Sequence, residues 1–309
     1  MSDASEARAI YEPERRSRRV LGPVFGLACL VATMTGVVVL SILLGAIIGA
    51  IMQGPSDRPI WAQLRHLIVR LQSSDPEMAG YRAGLGGSLW LLGMVATISI
   101  PVGVGAAVFL EEYAPRGRLR RFIQLNIANL AGVPSIVYGI LGLALFVRAF
   151  GVRGLAMGPT LLAGALTLGL LILPVIVIAT QEALRTVPNS LRQAALGLGA
   201  TRWQVIRDHV LPASMPGILT GTILALSRAI GETAPLLMVG AAGSILRVPR
   251  GPSSRYTALP VEIYVYAKES DPRFQAVAAG GILLLLILLL TMNAVAIVIR
   301  NRYARSSRG

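Results

Sequence analysis

Six stretches of the chain stay apolar for long enough to cross a bilayer, and that pattern sets the first expectation of its architecture. A helix needs about 20 apolar residues to span about 30 Å of hydrocarbon. Residues 24 to 51, 86 to 110, 123 to 147, 156 to 180, 214 to 241 and 275 to 299 meet that length, and five of the six contain no Asp, Glu, Lys or Arg. Backbone polar groups cannot stay unpaired in lipid, so each stretch is expected to be helical. Nothing in the chain shows the ten-residue alternation of a membrane barrel. The fold class expected is all-α: a polytopic membrane protein of six transmembrane helices over residues 23 to 309, preceded by a tail of residues 1 to 22. Between the first two stretches, Trp61, Leu64, Leu67, Ile68 and Leu71 share one helical stripe from which Arg65 and Arg70 are absent. That places an interfacial helix over residues 61 to 72.

Composition agrees: 54% of the residues are hydrophobic, 14% are charged, and mean hydropathy is +0.66. A net charge of +14 would suit a nucleic-acid partner only if the basic residues clustered on a soluble face. They fall instead in the short segments between apolar runs, so nucleic acid is not expected and membrane lipid is. Residues 1 to 22, 111 to 122, 181 to 211 and 300 to 309 together hold 17 arginines, against 11 Lys or Arg in the equally long set 53 to 85, 148 to 158 and 243 to 273. The positive-inside rule then puts both termini in the cytoplasm. Arg15, Arg16, Arg18 and Arg19 imitate the start of a signal peptide, but residues 20 to 56 carry no charge, far beyond a signal core of about 7 to 15 residues. The first stretch is therefore expected to be a retained helix. The single cysteine, Cys29, lies within it and forms no internal disulfide.

Two segments carry chemistry. In the long cytoplasmic segment, residues 193 to 198 are Ala-rich and helix-forming, Gly199 is placed to end that helix, and Thr201 to cap a following one over 202 to 210. A rigid helix-Gly-helix projecting from the membrane can transmit a partner's push, where a floppy loop would absorb it. In the fifth stretch, Arg228 and Glu232 stand four residues apart and can pair on one helical face. A charge at mid-membrane costs roughly 2.5 to 3.5 kcal/mol on insertion scales, so both are expected to face the bundle interior or a wet path. Two roles stay open for them: an ion pair that ties helices together, or a station on an anion pathway, where the Arg fork would accept a tetrahedral oxyanion and Glu232 would temper the hold.

The spacing Gln193-Ala194-Ala195, Gly199, Leu211-Pro212 resembles the Glu-Ala-Ala loop of ABC importer permeases, the coupling helix that docks in a cleft of the ATPase. The family pattern has Glu and Ile where this chain has Gln193 and His209. From Gly132-Val133-Pro134-Ser135-Ile136-Val137-Tyr138-Gly139, through Ser227 to Pro235, to Thr257-Ala258-Leu259-Pro260, Met292-Asn293-Ala294 and Arg300-Asn301-Arg302-Tyr303, the chain resembles the PstA-type permeases of phosphate ABC importers over about residues 84 to 303. The resemblance implies the type I importer fold in a bacterial inner membrane. It implies a homologous second permease, a dimer of cytoplasmic ATP-binding subunits and an extracytoplasmic phosphate-binding protein as partners. It also associates Arg228 and Glu232 with phosphate passage, and Gln193, Ala194, Ala195 and Gly199 with coupling to the ATPase.

The chain itself is expected to hold no ATPase site. Its sole lysine, Lys268, follows Ala267, so no Gly-x4-Gly-Lys-Ser/Thr phosphate loop exists. No Cys/His cluster, nucleophile triad or dinucleotide fingerprint is present either, so no cofactor or metal is expected. Two rival functions are an ion-coupled secondary anion transporter, which ordinarily carries more intramembrane acids, and a non-transporting scaffold. Sulfate or molybdate would suit the same Arg fork.

Overall fold

A computed structural model describes residues 14–52, 59–152, 154–241, 245 and 247–306. Most of the tail expected over residues 1 to 22 lies outside them. No strand occurs among the described residues. The chain divides into two compact units, residues 1–53 and 54–309. The first is the single helix α1 (Glu14–Met52), whose stretch Pro23–Met52 has the length and apolarity of a span.

The second unit is a helical bundle. The amphipathic helix α2 (Ile60–Val69) covers most of the segment expected as an interfacial helix over 61 to 72, and its Leu64 and Leu67 pack against Tyr81, Leu259 and Tyr266. The long helix α3 (Arg82–Val108) runs on through a widened turn at Phe109–Tyr113. It is followed by α4 (Arg118–Ala131), α5 (Ser135–Gly142), α6 (Leu161–Arg185), α7 (Asn189–Gly197) and α8 (Arg202–Val205). Then come α9 (Leu211–Gly231), α10 (Ala234–Val239), α11 (Leu259–Ala267) and α12 (Arg273–Ser306). α6 is the central element and packs along both α3 and α9, while α12 lies against α9 and α11. Leu91 and Val95 of α3, Leu168, Ile172 and Ile176 of α6 and Ala225 of α9 meet in the main core.

Five helices among the described residues are long and apolar enough to cross a membrane, and a bent pair makes a sixth if its two helices count as one span. The stretch expected as one helical span over 123 to 147 is broken at Gly132–Pro134, and α4 meets the following segment at 103°. The cause is local. Pro134 has no N–H to continue the ladder, and its ring drives Val133 out of the helical region.

The fifth span also differs from its expected limits of 214 to 241. It starts at Arg202, passes through a wide turn at Ile206–Val210 and ends at Gly231. The wide turn sits just before Pro212, where an unbroken ladder would set the proline ring against the carbonyl four residues back. Finally, residues 243 to 273, expected to face water, contain α11, and six of its nine residues are buried between α3 and α12.

Candidate functional site

Arg228 lies in the last turn of α9, where the unpaired carbonyls at a helix C-terminus favour a cation. Glu232 is the residue that ends the helix, with extended backbone (φ −79°, ψ 119°), followed by Thr233 and the short helix α10. The expected pair forms: Arg228 Nε donates to Glu232 Oε1 at 3.4 Å. It forms across the helix end and not along an uninterrupted helix, because Gly231 and Pro235 stop the ladder between them. The two partners differ in environment. The Arg228 side chain is 42% exposed in the isolated subunit, and that of Glu232 is 18% exposed. Only Nε of the guanidinium is engaged, and its terminal nitrogens make no hydrogen bond among the described residues. Tyr138 of α5 lies within electrostatic reach of Arg228, and its hydroxyl donates to the Leu130 carbonyl across the α4–α5 bend at 2.7 Å. Ser227 is held to Asn293 of α12 at 2.7 Å, which fixes the rotation of α9 next to the pair.

The helix-Gly-helix segment over residues 189–205 takes the form its sequence implies. α7 spans Asn189–Gly197, and Gly199 has φ +85°, the left-handed conformation that ends a helix at little cost only for glycine. Thr201 and Gln204 then form a reciprocal capping box that starts α8. The Gln-Ala-Ala triplet divides by face. Gln193 and Ala194 are exposed, whereas Ala195 is buried against Leu184, Val187, Val205 and Val210. Leu198, 90% exposed, stands at the tip beside Gly199.

Sequence reasoning missed what anchors this unit. Arg192 donates to the Val187 and Leu184 carbonyls, to Asn189 and, at 2.9 Å, to Glu112 at the end of α3. Glu111 beside it receives both Arg120 and Arg185. The adjacent acids Glu111-Glu112 in the otherwise arginine-dominated set of segments were the signal.

Glu262 is a second group that sequence reasoning missed, because it sits outside every long apolar stretch. It is fully buried on α11 against the first turn of α3, and its carboxyl oxygens make no well-formed hydrogen bond. Gly84 makes room for it, since a side-chain carbon there would collide with the Glu262 carboxyl. Burial pushes the Glu262 carboxyl up to about 8, with the Gly84 backbone N–H pulling the other way. The folded value lies above the unfolded one, so the stability this group confers as a neutral acid is full below about pH 4.5 and is lost as pH rises through about 8. Melting curves of the purified protein at pH 5.5 and 8.5 should show a drop of about 5 °C at the higher pH in wild type. Glu262→Gln should abolish most of that difference, and an unchanged difference would show that Glu262 is ionised throughout.

Residues 99–305 match the family model of the binding-protein-dependent transport system inner membrane component. The chain is 40% identical over 199 residues to the probable ABC transporter permease protein YqgI of Bacillus subtilis (strain 168), a match covering 63% of this chain and 66% of the relative. It is 39% identical over 223 residues to the phosphate transport system permease protein PstA 1 of Mycobacterium tuberculosis (strain ATCC 25618 / H37Rv), covering 72% of this chain and 70% of the relative. Among solved structures, a bacterial alginate ABC transporter in complex with an alginate pentasaccharide-bound periplasmic protein aligns at a TM-score of 0.65. That alignment has 17% identity and covers 92% of this chain and 96% of the solved chain, a likeness of fold.

Proposed function

This chain belongs to the family of binding-protein-dependent transport system inner membrane components, and we propose that it is the permease subunit of an ATP-driven importer for inorganic phosphate. It forms the path with a homologous second permease, receives phosphate from an extracytoplasmic binding protein and is driven by a separate cytoplasmic ATPase dimer, with both of its own termini in the cytoplasm of a bacterial cell. The relatives named as phosphate permeases support the substrate. The observation that carries the reading is Arg228, a guanidinium inside a span, 42% exposed, whose terminal nitrogens make no hydrogen bond among the described residues. Such a fork fits a tetrahedral oxyanion. Glu232, bound at Nε, prevents the hold from becoming storage, since transit requires release.

In this mechanism, closure of the ATPase dimer pushes α7 through its exposed face, including Gln193, Ala194 and the Leu198–Gly199 tip. Arg192, Glu112 and Glu111 carry the push as a rigid unit to the ends of α3 and α6, which then exchange outward for inward access. The deciding experiment is uptake of radiolabelled phosphate by vesicles containing the assembled complex, with sulfate and molybdate as competitors. Uptake should require ATP and resist both competitors; uptake without any ATPase would instead establish an ion-coupled transporter. Gly199→Val tests the coupling role. Forcing a β-branched residue into φ +85° should cost about 1 to 2 kcal/mol locally. ATPase recruitment or transport-coupled hydrolysis should fall at least about fivefold while the spans remain folded, and unchanged recruitment and coupling would remove this tip from the docking site.

A further inference from the structure

Arg116, Gly117, Arg118, Arg120, Arg121 and Gln124, in the segment entering α4 and its first two turns, line an open groove of about 520 Å³, and Glu111 beside it binds Arg185 at the end of α6 that leads into α7. The four arginines do not serve equally. Arg120 is tied to Glu111 at 2.9 Å, and through Glu111 to Arg185 of α6, so one wall of the groove is fixed by a half-buried ion-pair network. Arg116, Arg118 and Arg121 are exposed and have no ion-pair partner among the described residues. Three like charges held close together repel, an arrangement that calls for a counter-charge from outside the chain. The surface next to them is apolar: Leu119, Phe122 and Leu125, in the first two turns of α4, are all more than half exposed.

We infer that this groove binds the headgroup of an anionic phospholipid, with the arginine forks on the phosphate and Leu119, Phe122 and Leu125 against the acyl chains. Guanidinium forks match phosphate oxygens in geometry as well as charge. An amphipathic helix with a basic polar side and large apolar residues beside it lies at the boundary between headgroups and acyl chains. A free anion or an acidic protein surface would engage the arginines alone; a lipid engages the arginines and the adjacent apolar residues together. Because Arg120 and Glu111 join the groove to Arg185 at the end of α6, and the adjacent Glu112 binds Arg192 of α7, an occupied headgroup site would brace this end of the bundle. This inference concerns lipid binding and does not depend on which solute the permease carries.

The test is native mass spectrometry of the purified full chain with phosphatidylglycerol and phosphatidylcholine at equal concentration. Each arginine near an anionic surface strengthens attraction about fivefold, so wild type should retain phosphatidylglycerol at least about tenfold over phosphatidylcholine. R116Q/R118Q/R121Q should bind the two lipids equally. R247Q/R250Q/R255Q, which removes the same charge at the opposite end of α6 near Leu161, should keep the preference. If the first triple variant cannot be recovered, R118Q alone should lower the preference about fivefold. Three results would overturn the assignment. The first is equal binding of both lipids by wild type, and the second is an undiminished preference in the groove variants. The third is displacement of phosphatidylglycerol by millimolar inorganic phosphate, which would make the groove a free-phosphate site. Loss of copurifying ATPase from the triple variant without any change in lipid preference would make the groove a protein-docking face instead.

Discussion

Arg228→Ala, in an otherwise intact transporter, should reduce phosphate uptake by about 30-fold or more. Hydrogen bonds to a charged group contribute about 1.5 to 3 kcal/mol each, which is roughly 10- to 150-fold in a rate limited by that contact. In the structure Nε is already committed to Glu232, so the terminal nitrogens are the ones available to a solute, and alanine removes both. Arg228→Lys keeps the charge without the fork and should fall between the two. Assembly should survive because the Arg228 side chain is 42% exposed and ties no second helix through a hydrogen bond. Wild-type uptake by an assembled Arg228→Ala complex would leave the pair as a helix-end clasp with no part in transport. Failure of the complex to assemble would assign Arg228 to the subunit contact.

The largest effect on stability is expected at Gly87. This residue faces the backbone of Thr257, in the buried segment leading into α11, and a methyl group there would overlap the Thr257 carbonyl oxygen. Both sides of that contact are backbone, and Leu259 N–H is pinned to the Ser88 hydroxyl at 2.9 Å, so neither chain can step aside. Overpacking costs about 1 to 3 kcal/mol where side chains can yield, and the upper end or beyond is expected where they cannot. Gly87→Ala should lower the melting temperature in detergent by about 8 °C, at roughly 2 to 4 °C per kcal/mol, or prevent recovery of monodisperse protein. Gly93→Ala on the same helix is the control. Nothing lies within 4 Å of its side-chain position, so that change should be neutral or slightly stabilising through helix propensity. Equal melting of the two variants would mean that the segment before α11 is free to leave α3.

Both expectations depend on contacts between residues far apart in the chain, and that is where sequence reasoning ran out. Arg228 and Glu232 stand out because charges inside an apolar stretch are unusual, and their spacing of four was enough to predict that they could meet. It did not reveal that the helix stops between them, although Gly231 and Pro235 were visible, because a proline in a membrane helix is as often tolerated as terminal. Pro134 marked a place where the apolar run could kink, but the sequence did not reveal that the helix would break there at 103°.

What the amino-acid order determined was everything set by one residue and its near neighbours. That includes the all-helical membrane class, which follows from unbroken apolar length, and the end of the coupling helix at Gly199. It also includes the capping of the next helix by Thr201, which follows from backbone freedom and a side-chain oxygen at the right offset. The tertiary structure alone decided which surfaces meet. It buried Glu262 against Gly84, drew Glu111 and Glu112 onto Arg120, Arg185 and Arg192, and left Arg116, Arg118 and Arg121 around an open groove without an ion-pair partner among the described residues. Periodicity tells a helix which of its faces is apolar. In a chain that is apolar nearly all round, only close packing of small residues and the pairing of scattered polar groups can choose the neighbour for each face.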